Sequence, residues 1–300
     1  MSKLILRIGL LILFSTLTRP LALATYVNDI PFAFENGFVV VEAKIKGDAP
    51  VHVVVATGSE YSIADTASLQ KYELPVYYAP DGLMAGRNDK FYSYTKVSSV
   101  RTSDSKAKDV AMRLGSMGQI SQMAGREVFA ALGADFFEGQ AVQIDFKNKV
   151  LRFLDKPAVD ALKGKSAAAN KILLQMAEKE SNPFLRTFRV PLVTDVTFDG
   201  KKSKLLLDTG KPTHLALSLS VAKNVGFTLP AENDPPRDER VKSLRLGTSE
   251  MSDLPVIVYP KGSNAEKSIS KYGAVAGSSF LKDFVVTFDF RSGLIVLERS

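Results

Sequence analysis

The sequence has no cysteine and only two histidines among its 300 residues. Without cysteine no disulfide can form, and an exported protein without disulfides suits a bacterial periplasm better than a eukaryotic secretory route. Lipid attachment at an N-terminal cysteine is excluded on the same ground. His52 and His214 lie far apart, within strand or turn segments, and a zinc site needs more ligands than these two supply. No metal or cofactor is therefore expected. No Gly-x-Ser-x-Gly occurs, which removes a serine-nucleophile elbow. Gly164-Lys165-Ser166 has Val159 where a phosphate-binding loop needs its first glycine. The formal net charge is +7, but the basic residues are scattered and form no stripe with aromatic ones, so nucleic acid is not an expected partner.

What is present is an ordinary globular composition, 45% hydrophobic and 24% charged, enough to bury a real core. The chain starts differently. Lys3 and Arg7 precede an apolar run over residues 8–17, followed by Pro20 and the small-x-small pattern Ala22-Leu23-Ala24. Residues 1–24 read as a signal peptide, because the run is shorter than the roughly 18 apolar residues a membrane span requires. The expectation is export to the periplasm or beyond, with no stable membrane span after cleavage. Losing Lys3, Arg7 and Arg19 and no acid lowers the positive excess by three.

The most informative stretch is Leu205-Leu206-Leu207-Asp208-Thr209-Gly210. Three leucines in a row read as a strand buried on both faces, and an acid stands where that strand leaves the core. Gly210 permits a tight turn that holds the carboxylate against its own backbone. Downstream come Ala274-Val275-Ala276-Gly277, then Phe280-Leu281, then an alternating hairpin over residues 285–290 and 293–297.

The same pattern occurs earlier in the chain. A strand over residues 38–45, a turn at Gly47-Asp48 and the apolar run Val51 to Val55 lead into Ala56-Thr57-Gly58. Residues 190–198, Asp199-Gly200 and residues 204–207 lead likewise into Asp208-Thr209-Gly210. At one constant offset Leu132-Gly133 falls on Ala276-Gly277, Phe136 on Phe280, Val142 on Val286 and Asp145-Phe146 on Asp289-Phe290. Such self-similarity means two copies of one unit. The short strands and Gly/Pro turns favour all-β lobes. The boundaries read as 25–156 for the first lobe, 157–186 for a linker and 187–300 for the second lobe. The linker, rich in Ala, Lys, Leu and Glu over residues 158–180, is expected to be helical. Asp145 and Asp289 border hairpin turns and are assigned structural work.

An apolar strand into Asp-Thr-Gly, followed by an apolar-apolar-Gly strand and a closing hairpin, resembles one lobe of the pepsin and retropepsin-like aspartic proteases, most clearly over residues 187–300. The resemblance implies two β-barrel lobes packed as a bilobal pseudo-dimer around a shared cleft, with Asp208 as catalytic acid and Thr209 and Gly210 shaping its loop. It also implies a peptide or protein as substrate or ligand. Ala56-Thr57-Gly58 would form the matching loop. Residues 84–94 are the candidate flap of the first lobe, with Tyr92 or Tyr94 as its tyrosine, and Glu60 stands where retropepsins carry an acid that holds substrate or structure. The corresponding stretch of the second lobe, residues 232–241, holds Pro235-Pro236 and many charges and reads as a mobile loop.

The sequence departs from that family in one decisive place. Aspartic proteolysis uses an ionised carboxylate as base and a protonated one as acid. The first copy has Ala56 where the second has Asp208. Glu60 and Asp65 follow, and neither is expected to replace the missing acid. Lys211, directly after the glycine, favours the ionised form of Asp208 and opposes proton sharing if it faces the carboxylate. Two functional readings stay open. One is an aspartic endopeptidase of weakened activity, which a homodimer through the second lobes would restore by bringing two Asp208 together. The other is an inactive peptide-binding pseudoprotease of the cell envelope.

Overall fold

The computed structural model describes residues 27–47, 49–80, 91–102, 108–164, 171–177 and 189–299. The segment read as a signal peptide and residues 84–90 of the candidate flap lie outside the described residues. Among the described residues no helix is long and apolar enough to cross a membrane.

Strands dominate. The first half contains β1 (Val27–Glu35), β2 (Phe38–Ile45), β3 (Ala49–Val55), β4 (Ile63–Asp65), β5 (Tyr77–Pro80), β6 (Phe91–Val100), β7 (Lys108–Gly115), β8 (Ala130–Leu132), β9 (Ala141–Asp145) and β10 (Val150–Leu154). Two short helices, α1 (Gly118–Ala124) and α2 (Ala134–Phe137), flank β8. Helix α3 (Lys156–Gly164) and strand β11 (Lys171–Gln175) follow. The second half contains β12 (Leu192–Phe198), β13 (Lys201–Asp208), β14 (Leu215–Leu217), β15 (Arg237–Leu246), β16 (Ser249–Val258), β17 (Ala274–Gly277), β18 (Phe284–Asp289) and β19 (Leu294–Arg299). Its helices are α4 (Leu219–Asn224), α5 (Asn264–Ser270) and α6 (Ser278–Leu281).

The second lobe closes into a barrel in the order β12-β13-β17-β14-β16-β15, and the first lobe contributes most of a 13-stranded sheet. The Leu205, Leu206 and Leu207 side chains are all buried, as three successive apolar residues require of a strand covered on both faces. The successive Val53, Val54 and Val55 of β3 are buried in the same way. The result is the all-β, two-lobed architecture that the repeat implies.

The two lobes share one sheet rather than merely touching. Strand β9 of the first lobe pairs antiparallel with β18 of the second, and the order across this region is β11-β19-β18-β9-β10-β1. Strand β1 pairs with β10, and β11 pairs with β19 in the corresponding way. Pro31 faces Val150, and Gln175 faces Leu294.

That pairing corrects the expectation of a helical linker over 157–186. Only Lys156–Gly164 is helical among its described residues, and Lys171–Gln175 is a strand. Ile172 and Leu174 are buried while Lys171, Leu173 and Gln175 are not, a period-two pattern. The Ala- and Lys-rich composition hides that alternation. Strand β11 is the counterpart of β1, so the second copy begins earlier than its sequence similarity suggests. A second correction concerns residues 232–241. Arg237 onward lies in β15, a ten-residue strand paired with β16. Its charges fall mainly on the solvent side while Val241, Leu244 and Leu246 face the core, so their number does not signal a loop.

Candidate active site

Each lobe brings one strand and one tight turn to the junction. Val55 at the end of β3 pairs with Leu132 of β8, and Asp208 at the end of β13 pairs with Gly277 of β17, both in parallel register. The glycine that ends each apolar-apolar-Gly strand has a steric reason. A Cβ on Gly133 would lie 2.6 Å from the carbonyl carbon of Tyr61, and one on Gly277 would collide with the carbonyl oxygens of Thr213 and Lys211. The outgoing chain of each turn thus passes directly over the glycine. Helix starts then hold it there: Ala134 N–H donates to Ser59 O at 2.8 Å, and Ser278 N–H donates to Lys211 O at 2.8 Å.

The two turns meet. Thr57 Oγ1 donates to Leu207 O at 3.2 Å, and Thr209 Oγ1 donates to Val55 O at 2.7 Å. The backbone N–H of each threonine donates to the hydroxyl of the other, at 3.3 and 3.2 Å. Both threonines are fully buried. Asp208 Oδ1 accepts from Gly210 N–H at 2.9 Å and from Gly58 N–H, in the other lobe, at 3.0 Å.

The glycines define what faces what. A Cβ on Gly58 would sit 2.5 Å from Asp208 Cβ, and a Cβ on Gly210 would sit 2.6 Å from Ala56 Cβ. Gly58 opposes Asp208 as Gly210 opposes Ala56. The methyl group of Ala56 therefore occupies the place related to Asp208 by the approximate two-fold axis between the lobes.

Burial pushes the Asp208 carboxyl above the ordinary carboxylate range; the Gly210 and Gly58 N–H groups and, least of all, the Lys211 charge pull it down without reversing the shift. Lys211 is exposed, so the opposing influence expected from it is the weakest of those acting.

The other sequence-predicted residues are placed as follows. Glu60 turns to the second lobe, 3.9 Å from Lys271 Nζ. Asp65 accepts from Met117 N–H at 3.0 Å and from Ser68 Oγ at 3.1 Å, a structural role. Tyr92 and Tyr94 lie in β6, paired with Ala79 and Tyr77 of β5. The Tyr94 ring stacks on Tyr77 with centroids 5.4 Å apart. His214 packs edge-on against Phe280, with Nδ1 3.1 Å from Pro255 O, and burial pulls its pKa down. Asp145 and Asp289 accept from the residues of their own hairpin turns, Asn148 in one case and Arg291 and Ser292 in the other. Among the described residues no cluster of His, Asp and Glu could hold a metal ion.

Sequence reasoning missed Asp135. Its carboxylate accepts from Ser62 N–H at 2.9 and 3.0 Å and from Ser62 Oγ at 2.7 Å, so it anchors the chain leaving the first turn. Ser279 is its counterpart in the second lobe and donates to Pro212 O at 2.7 Å. The repeat offset that aligns Phe136 with Phe280 aligns these two, and that was the available signal.

By sequence, no family model and no curated protein matches the chain. By structure, an aspartic proteinase from Irpex lacteus superposes with a TM-score of 0.51 at 10% identity, over 91% of this chain and 97% of that one. The fold is that of a bilobal, pepsin-like aspartic proteinase. A retropepsin-like aspartic protease from Rickettsia conorii also matches, over 43% of this chain and 90% of that one, at 18% identity and a TM-score of 0.30. At 10% identity the likeness to the Irpex lacteus proteinase shows a shared fold and nothing finer. In this pepsin-like frame the two turns at the lobe junction carry one carboxylate, Asp208, and one methyl group, Ala56.

Proposed function

We propose that the chain is an exported aspartic-protease homologue whose cleft binds peptides in extended form, and that peptide hydrolysis is weak or lost. The observation that carries this reading is the methyl of Ala56 at the place related to Asp208 by the pseudo-two-fold axis. Two-carboxylate hydrolysis needs a base to take a proton from water and an acid to protonate the scissile carbonyl. One carboxyl cannot be both at once, and removing a member of such a unit costs most of the rate. Burial favours the protonated form of Asp208, which suits a hydrogen-bond donor to a bound peptide carbonyl better than a base.

Pairing two chains through their second lobes would require the first lobe to leave. The Thr57–Thr209 hydrogen bonds and the shared sheet oppose that separation. Export is proposed from residues 1–24, a cationic start followed by an apolar run and Ala22-Leu23-Ala24.

The test is a comparison of the purified protein with Ala56→Asp, Asp208→Asn and the double variant, on a mixed peptide library at acid pH, with anisotropy of labelled peptides as the binding readout. The expected result is peptide binding without rapid cleavage by the unmodified protein, and cleavage by Ala56→Asp that disappears in the double variant. Rapid cleavage by the unmodified protein that disappears in Asp208→Asn overturns the reading. A reporter fused to the C-terminus and active only outside the cytoplasm checks export.

A further inference from the structure

The carboxyl of Asp208 uses only one of its oxygens inside the protein. Oδ1 accepts from both Gly210 N–H and Gly58 N–H, at 2.9 and 3.0 Å. Oδ2 makes no hydrogen bond among the described residues, and it reaches the surface rather than being sealed beneath it. Asp208 as a whole is only 5% exposed, so Oδ2 is met through a narrow opening. Ala56, across the approximate two-fold axis, is 6% exposed and otherwise packs with Phe38, Val40, Val54 and Met117. One point beside Gly210, where its Cβ would stand, lies 2.6 Å from Ala56 Cβ and 3.1 Å from Asp208 Oδ1, so the methyl and the carboxyl are near neighbours.

Two turns related by a two-fold axis are shaped for two carboxyls that hold one proton between them. Aspartate exceeds alanine by one carboxyl group, and residue 56 does not supply it. The charge around the remaining acid favours an anion there. The Lys211 ammonium, which is exposed, is the charge that acts on Asp208, and Glu60 on the facing turn is directed to Lys271 at 3.9 Å. Strand β17, paired with β13 at Asp208, and helix α6 after it contain no charged residue. Burial keeps the proton on Asp208. A protonated carboxyl donates to a carboxylate in a charge-assisted bond, stronger than one to a neutral carbonyl.

We propose that the junction binds a carboxyl group of the ligand against Ala56, so that the ligand and Asp208 together form the carboxyl pair that the chain alone lacks. The inference rests on the peptide-binding reading and adds the chemical class of the group that meets the site. That group is a carboxylate, from an Asp or Glu side chain or from a free C-terminus. Asp208 donates through Oδ2, Gly58 and Gly210 hold Oδ1, and Lys211 supplies the positive charge. No covalent bond is made or broken.

The experiment uses labelled peptides of Val, Ala, Ser and Thr in twin pairs. One pair differs by Glu or Gln at an internal position, moved along the peptide to sample register, and the other by a free or an amidated C-terminus. Anisotropy is read from about pH 5 to about pH 8 with the full protein and with Asp208→Asn, the double variant Ala56→Asp/Asp208→Asn, Lys211→Gln and Lys202→Gln. At the acid end the acidic member of one pair is expected to bind about tenfold more tightly than its neutral twin, the size of one charge-assisted pair. The pair that shows this identifies the source of the carboxylate. The ratio should fall toward one as pH rises and Asp208 ionises, because two like charges then meet. In Asp208→Asn, whose amide goes on donating, it should persist to the alkaline end. It should vanish in the double variant, where the chain's own second carboxyl takes the place, shrink in Lys211→Gln, and survive in Lys202→Gln, an exposed lysine of the second lobe. Equal binding within both pairs overturns this inference and leaves peptide binding standing. A preference that persists in the double variant also overturns it, as does one that disappears in Lys202→Gln, the signature of general charge attraction. Binding of no peptide overturns both readings.

Discussion

Gln143 and Thr287 are hydrogen-bonded across the shared sheet, Nε2 to Oγ1 at 3.2 Å, and they stand 144 residues apart. They are also direct partners in the β9–β18 ladder. That separation is the offset that maps the first hairpin onto the second, so the axis relating the lobes passes between these two side chains. The same axis passes between Thr57 and Thr209 at the turns. Because β9, β10 and β1 share one sheet with β18, β19 and β11, neither lobe completes its structure alone. Denaturation followed by circular dichroism and by calorimetry should show one transition. Two well-separated transitions would contradict the shared-sheet account.

The threonine pair should behave as a unit. Thr57→Val leaves Leu207 O and Thr209 N–H without their buried partner, and Thr209→Val does the same to Val55 O and Thr57 N–H. Each substitution should cost about 2 kcal/mol in denaturant unfolding. The double variant should cost about 1 kcal/mol less than the sum, since each single change already disrupts what the other holds. Strict additivity would show that the two hydroxyls act independently.

Close approach at the junction predicts a compensating pair. In Gly210→Ala the new methyl meets Ala56 Cβ at 2.6 Å, which should cost about 2 to 3 kcal/mol by forcing the lobes apart. Ala56→Gly in the same chain removes that atom and should recover part of the loss. The Cα of residue 56, 3.0 Å from the added group, limits the recovery. Thermal melts of the two single variants and the double variant decide this, and no recovery would place the clash elsewhere.

Much of this was readable beforehand because it is encoded in local pattern. Leu205 to Asp208, Ala274 to Gly277 and the two hairpins signal their strands by runs of apolar residues, and repetition supplied the second lobe's partner. Strand β11 was not readable, because Ile172 and Leu174 are its only buried positions in a segment of helix-favouring composition, and its partner β19 is remote in sequence. Asp135 was missed for a similar reason: it acts through Ser62, a residue far earlier in the chain.

Asp135 gives a prediction of its own. It is half-buried, its carboxyl is pushed up by desolvation, and it holds Ser62 through three short contacts. Asp135→Ala leaves Ser62 N–H and Oγ without that acceptor and should destabilise by about 3 kcal/mol. Asp135→Asn retains one acceptor oxygen and should cost less. If Asp135→Ala unfolds no more easily than Asp135→Asn, the carboxylate is not the anchor of the first turn.

Asp208 makes the stability of the protein depend on pH in the direction opposite to that of a paired surface acid. Its folded pKa lies above the unfolded value of about 3.9, because burial disfavours the charge more than two N–H donors and Lys211 favour it. The unfolded chain therefore releases this proton at lower pH than the folded one. Its contribution to stability is fully present below pH 4 and is lost as pH rises through the folded pKa. Asp208→Asn keeps an oxygen for Gly58 and Gly210 and never ionises. Measured against the unmodified protein by thermal melts, Asp208→Asn should be more stable at neutral pH than at acid pH, with the difference closing as pH falls toward 4. A difference that grows on acidification would mean that the carboxylate is stabilised as an anion at the lobe junction, which would make it a better base than its burial implies, and a difference constant with pH would mean that folding does not shift its pKa at all.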